Sequence, residues 1–223
     1  MIHETKKPVI VISGPSGVGK STAIHRCIAL HPEFALVRSV TTRKKRNDDD
    51  CYLYVDESTF DSMELAGEFL ETDRYLGVSY GTPRQELDRI YEENKIPILD
   101  ITYSGMKNLK ANKELDAKTI FLWAPPYVLL KRIREREGEE KNWYKHASKL
   151  SAAIPAVEVS GEYDFLVNTE NGIIDDTVDI LEKIILGDGT TYSSSREKIN
   201  TAEYIYKTKL TIAIYFEREK RKR

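Results

Sequence analysis

The stretch GPSGVGKS, residues 14–21, constrains this chain more than any other. It fits G-x-x-x-x-G-K-[ST] and lies between "KKPVIVIS" (6–13) and "KSTAIHRCIAL" (20–30). The first flank is a short, nearly unbroken apolar run, as expected of a strand buried on both faces. The second spaces Ile24, Cys27 and Ile28 as a helix does and is ended by Pro32. A glycine-rich turn in that setting wraps with its N–H groups pointing inward and makes an anion nest at a helix N-terminus. Lys20 adds a point charge for β- and γ-phosphates, and the Ser21 hydroxyl is a ligand for Mg2+. The expected triphosphate-binding set is Gly14, Ser16, Gly17, Val18, Gly19, Lys20, Ser21 and Thr22. The strand–loop–helix setting favours nucleoside triphosphate binding over a chance glycine-rich turn, but the motif does not say what receives the phosphate.

The rest of the chain alternates in the same rhythm. "IPILDI" (96–101), "AKTIFLW" (117–123) and "YDFLVNT" (163–169) are further buried-strand candidates. Helical stretches at 127–137 and 173–186 separate them or follow. Strand, helix, strand in this order argues an α/β fold, a parallel sheet with helices on both faces. Residues 38–88 and 132–149 interrupt the rhythm. At 223 residues and 40% hydrophobic, the chain suits one large domain with a real core and insertions. A formal net charge of -2 argues against a nucleic-acid or membrane-surface binder. Cys27 and Cys51 have neither metal-ligand spacing nor the density of a disulfide scaffold. The apolar runs are short and "MIHETKKP" is polar, so the expectation is a cytoplasmic protein with no signal peptide and no membrane span. In the last segment, "YIYKTKLTIAIYF" (204–216) fits a β-branched and aromatic strand, yet Tyr206, Leu210 and Ile214 also fit a helical stripe. The sequence does not decide between them, and "EREKRKR" beyond is read as a solvated tail.

From about residue 8 to residue 186 the chain resembles guanylate kinases, through "VISGPSGVGKST", "SVTTRKKR", "GEFLE", "YGTPR", "ILDI", "APP" and "FLVN" in that order. The resemblance implies a P-loop three-layer α/β/α parallel sheet with a GMP-binding insertion and a mobile lid. By that reading 1–37, 89–126 and 150–186 form the core, 38–88 the insertion and 127–149 the lid, with 187–223 an extension of unknown role. It implies the reaction ATP + GMP to ADP + GDP, with dGMP as a second acceptor, Mg2+ accompanying ATP, and a monomer or homodimer. The family's GMP-phosphate ligands fall on Arg43, Arg46, Tyr52 and Tyr80, residue types that bind phosphate by guanidinium forks and hydroxyl donors. Lys44 and Lys45 are read as solvated charge. Base selection falls on Glu71, with Ser39, Gly81, Thr82 and Asp100 beside it. A carboxylate accepts guanine N1–H and N2–H2 together, whereas adenine would leave it buried and unpaired. On the donor side Arg132, Arg136 and Lys149 match the lid-side cations, and Asn168 a residue near the adenine.

Several positions depart from the family pattern. Lys149 stands where arginine is usual, and Thr102 where a second carboxylate is usual. The loop before Tyr52 is short and carries Asp48, Asp49 and Asp50, which compete for the arginines when GMP is absent. Pro155 falls inside the helix expected after the lid and should stop or kink it near Ile154. Two rival readings follow: a kinase of the same fold acting on another phosphorylated small molecule such as a ribosyl phosphate, and a non-catalytic guanylate-kinase-like interaction module. Intact Lys20 and Ser21 weigh against the module, and Glu71 with Ser39 and Thr82 against the other acceptor.

Overall fold

The computed structural model describes residues 8–45, 51–75, 77–111, 115–138, 143–187 and 199–221. Two compact units emerge, the described parts of Met1–Ile12 with Ile24–Thr119, and of Ser13–Ala23 with Ile120–Arg223. In chain order the first elements are β1 (Val9–Ser13), α1 (Lys20–Leu30), β2 (Phe34–Leu36), β3 (Ser39–Thr41), β4 (Tyr52–Tyr54), α2 (Glu57–Leu65), β5 (Phe69–Tyr75), β6 (Val78–Pro83), α3 (Arg84–Glu92), β7 (Ile96–Asp100) and α4 (Tyr103–Ala111). They are followed by β8 (Ala117–Trp123), α5 (Pro126–Glu137), α6 (Trp143–Ser151), α7 (Ala153–Glu158), β9 (Phe165–Asn168), α8 (Ile174–Leu186) and α9 (Thr201–Lys220).

In the first unit β7 lies between β2 and β1 and pairs parallel with both, Phe34 opposite Ile96 and Ile10 opposite Ile98. All five residues of β1 are buried, so its sequence shows no polar alternation. A second sheet, ordered β4-β3-β6-β5, carries a different pattern. Val40 and Phe69 of this sheet form an apolar cluster with Phe60 of α2, flanked by Leu53, Val55 and Met63. A register shift between Phe69 and Glu71 breaks the alternation of β5. Two residues apart in an even strand would share a face; the irregularity lets Phe69 enter the core while Glu71 joins the polar side.

In the second unit β8 and β9 pair parallel, Ile120 opposite Phe165 through Trp123 opposite Asn168. The helical run is interrupted between α6 and α7, as Pro155 requires, but earlier than Ile154: α6 ends at Ser151 and α7 starts at Ala153. A proline ring clashes with the carbonyl four residues before it, here that of Ser151, and the third position of a new helix tolerates its missing N–H. The segment 204–216 is helical, within α9, whose N-cap Asn200 accepts from the Glu203 N–H. The anticipated stripe of Tyr206, Leu210 and Ile214 faces solvent instead, and Tyr204, Thr208 and Tyr215 are buried. Among the described residues no helix is long and apolar enough to cross a membrane.

Candidate functional site

The glycine-rich loop leaves β1 and enters α1 at Lys20, as its spacing demands. Gly14 is there for close approach: a Cβ at this position would stand 2.5 Å from the Leu122 carbonyl oxygen. Gly19 has φ +98, and a Cβ there would meet nothing within 4 Å, so the loop turns left-handed around open space. The turn closes by Val18 N–H to Pro15 O, 3.2 Å, and hands over to the helix by Ala23 N–H to Gly19 O, 3.0 Å. Ser21 and Thr22 are exposed at the start of α1. Among the described residues no group of three His, Cys, Asp or Glu side chains stands together to hold a metal. An exposed P-loop hydroxyl beside phosphate oxygens still suits Mg2+, which takes few protein ligands and keeps several waters.

The cations expected on the donor side are divided in their work. Arg136 donates from Nη2 to Ser16 Oγ of the loop, 3.2 Å, and to Glu137 Oε1, 3.1 Å. Lys149 donates to the same Glu137 oxygen. Arg132 is spent mostly on backbone: it donates to Val18 O at 3.3 Å and to Thr169 O at 2.6 Å, and also to the Thr169 hydroxyl at 3.2 Å. Burial pulls its guanidinium below the ordinary arginine value. Arg132 thereby ties the loop to the end of β9. Asn168, at that strand's end, closes a local turn by accepting the Glu170 N–H at 2.9 Å.

In the first unit, strand register gathers the expected acceptor residues on one face of the four-stranded sheet. Glu71 lies opposite Thr82, Asp73 opposite Tyr80, Thr41 opposite both Tyr80 and Tyr54, and Ser39 opposite Tyr52. Thr82 donates to Glu71 Oε1 at 2.5 Å. The other oxygen, Oε2, occupies the space a side chain at Gly105 of α4 would fill, since a Cβ there would come within 2.5 Å of it. Glu71 is only 7% exposed. Burial, with a smaller contribution from the Asp73 charge, pushes its carboxyl up to about 7 against the opposing Thr82 hydrogen bond. Gly81 departs from expectation, because its Cβ direction points at the Phe69 ring, 2.8 Å away on the apolar side.

The phosphate-binding candidates cluster beside this carboxylate. Tyr52 and Tyr80 meet edge to face at 6.0 Å. The Arg43 guanidinium lies 4.8 Å from the Tyr52 ring centre, and its Nη2 donates to Tyr54 Oη at 3.3 Å. Lys44 and Lys45 are exposed. Arg46 and Asp48, Asp49 and Asp50 lie outside the described residues. Asp100 ends β7, half-buried.

Two contributors, Asp73 and Glu137, escaped the sequence reading. Thr102, where a carboxylate was expected, caps α4 by accepting the Gly105 N–H at 3.1 Å and donates to Asp73 Oδ2 at 2.6 Å. The second carboxylate on the polar face is therefore Asp73, two residues along β5 from Glu71. Strand alternation was a signal that could have found it. Glu137 joins Arg136 to Lys149, and nothing in a run of "RERE" singles it out.

Known proteins resemble this chain along most of its length. The guanylate kinase family model matches residues 5–187. A guanylate kinase of Prochlorococcus marinus subsp. pastoris is 35% identical over 183 residues, 80% of this chain and 97% of the relative. One from Streptomyces kasugaensis is 35% identical over 178 residues, 78% of this chain and 84% of the relative. A solved guanylate kinase of Anaplasma phagocytophilum superposes with a TM-score of 0.64 over 91% of this chain and 95% of its own, at 20% identity, which speaks to the shared fold of a parallel sheet flanked by helices. The chain belongs to the guanylate kinase family.

Proposed function

We propose that the protein transfers the γ-phosphoryl group of ATP to GMP, releasing ADP and GDP, and accepts dGMP similarly. The observation that carries the acceptor assignment is Glu71: a carboxylate buried beside Thr82 and Asp73, with no cation paired to it among the described residues. One hydroxyl leaves most of its acceptor capacity unmet, which is costly until further donors reach it. Guanine brings N1–H and N2–H2 as adjacent donors, enough for Glu71 with one N–H left for Asp73; adenine brings an acceptor at N1.

The loop N–H groups and Lys20 hold the β- and γ-phosphates, and Arg136 and Lys149 supply charge to the oxygens of the group in flight. Arg43, Tyr52 and Tyr80 hold the acceptor phosphate, joined by Arg46. An acceptor phosphate oxygen is already largely deprotonated near pH 7, so the attack needs no general base. The oxygen bonds to γ-phosphorus as the bond to the ADP β-oxygen breaks, and ADP leaves with that electron pair. Ser21 would hold Mg2+, whose chemistry is to neutralise charge on the β- and γ-oxygens. The lid reading of 127–149, a cytoplasmic location and a monomer or homodimer belong to the same proposal. Coupled ADP-release measurements across GMP, dGMP, AMP, UMP, CMP and ribose phosphates test it. GMP and dGMP should turn over well and AMP poorly; preferred turnover of a ribose phosphate would overturn the acceptor assignment.

A further inference from the structure

Helix α9 lies beyond the residues the family model matches, yet it is built into the second unit. It packs against α5, α6 and α7. Phe216 meets Trp143 edge to face at 4.3 Å, and the Arg134 guanidinium sits 5.2 Å from the Tyr215 ring centre. If α9 only covered apolar surface, phenylalanine would serve at 215, because a buried phenol costs free energy unless its hydroxyl is bonded. The Tyr215 hydroxyl is bonded, to His146 Nδ1 at 3.0 Å.

His146 is itself fully buried in α6 and belongs to none of the expected ligand sets. A hydroxyl donating to Nδ1 leaves the proton on Nε2. That nitrogen is buried without a hydrogen-bond partner and lies 3.8 Å from Glu137 Oε2, which is likewise buried without one. Lys145 Nζ stands 3.8 Å from the same oxygen. The carboxylate's other oxygen takes both Arg136 and Lys149. A chain of contacts thus runs from α9 through α6 to the end of α5 and back to the Lys149 ammonium. Burial pulls Lys149 below the ordinary lysine value, and Glu137 opposes that, so where this carboxylate sits governs both the aim and the charge of the lysine.

We propose that Tyr215 and His146 are positioning residues for phosphoryl transfer, setting Glu137 so that it aims Lys149. The proposal rests on the reading that Lys149 acts on the transferred phosphoryl group. Tyr215→Phe in the full chain keeps the ring and removes only the hydroxyl. Its kcat for GMP should fall about three- to tenfold with KM for GMP unchanged and little change in Tm. In a Lys149→Met background the same substitution should cost nothing further, since the group being aimed is gone. His146→Gln, which keeps an N–H donor toward Glu137, should recover part of the kcat lost in His146→Leu. A wild-type kcat in Tyr215→Phe, or losses that multiply in the double variant, would make α9 a packing element and overturn the proposal. A Lys149→Met variant with wild-type kcat would instead remove the reading beneath it.

Discussion

Binding of GMP should be coupled to the proton on Glu71. Burial raises this carboxyl from its ordinary 4.5 to about 7. A donor pair such as N1–H and N2–H2 recognises the ionised form only, so apparent affinity scales with the ionised fraction of the free enzyme. That fraction is about nine-tenths at pH 8 and one-tenth at pH 6 for such a pKa, so Kd for GMP should rise roughly tenfold across that interval. The phosphate of GMP titrates nearby, with its second pKa about 6, so the enzyme's share must be isolated with Glu71→Gln. The variant retains the ligand's contribution but loses the enzyme's. At pH 8 it should bind GMP about 30- to 150-fold more weakly, as expected for the loss of about 2–3 kcal/mol of charge-assisted hydrogen bonding. Near pH 6 the gap should narrow to about 3- to 15-fold. Titration calorimetry near pH 7, in two buffers of different ionisation heat, should detect roughly half a proton released per GMP bound by the wild type beyond that released with the variant. The same group affects stability with a definite sign. Between 4.5 and about 7 the folded state holds a proton that the unfolded state has lost, so ligand-free stability falls as pH rises through this window, by about 3 kcal/mol in all. Equal pH slopes of Kd in wild type and Glu71→Gln would refute the reasoning, because the carboxylate would then not be the group that reads guanine.

Three further outcomes are expected. Lys20→Ala should fold normally and lose kcat by roughly 100-fold or more, the scale of one lost transition-state charge contact; near-wild-type turnover would remove the phosphate role of the loop. Arg43→Ala should lower kcat/KM for GMP about tenfold to hundredfold while exposed Lys44→Ala changes little, and steady-state kinetics in which the two behave alike would reduce the basic run to solvated charge. Gly105→Ala, which in a helix normally gains up to about 1 kcal/mol, should instead raise KM for GMP at least about tenfold with KM for ATP held, because the new Cβ lies 2.5 Å from Glu71 Oε2; an unchanged KM for GMP would show that the carboxylate can move freely.

What could be read in advance divides along physical lines. Strands buried on both faces announce themselves as unbroken apolar runs, so β1, β7 and β8 were legible, as was the loop whose glycines and lysine obey one spacing. The four-stranded sheet was harder because its strands are short and its faces mixed. Glu71 and Phe69 are two apart, and only the irregularity in β5 sends them to opposite sides. In α9 the helical period was visible, but the buried face was chosen by polar partners: Tyr215 went inward to meet His146 while Leu210 stayed out. Hydrophobicity alone orders those two residues the other way. Asp73 was missed because a carboxylate one register step from another looks like surface until Thr102 reaches across from α4.

On the proposed acceptor assignment, the placement of Glu71 and Asp73 draws specificity from an unfavourable arrangement. Two carboxylates on one face of a strand repel, and the more buried of them is held close to the point of protonation near neutral pH. One hydroxyl from Thr82 and one from Thr102 satisfy part of their acceptor capacity and no more. A ligand that supplies several N–H groups relieves both the repulsion and the unmet acceptors at once. A ligand with an acceptor at the same place relieves neither and adds a repulsive contact. On that assignment discrimination comes as much from the unmet acceptors of Glu71 and Asp73 as from what guanine offers, since an unpaired buried charge penalises the wrong base more than a good hydrogen bond rewards the right one. Pairing Glu71 with a local cation would stabilise the ligand-free fold and, by the same stroke, remove the reason to prefer guanine.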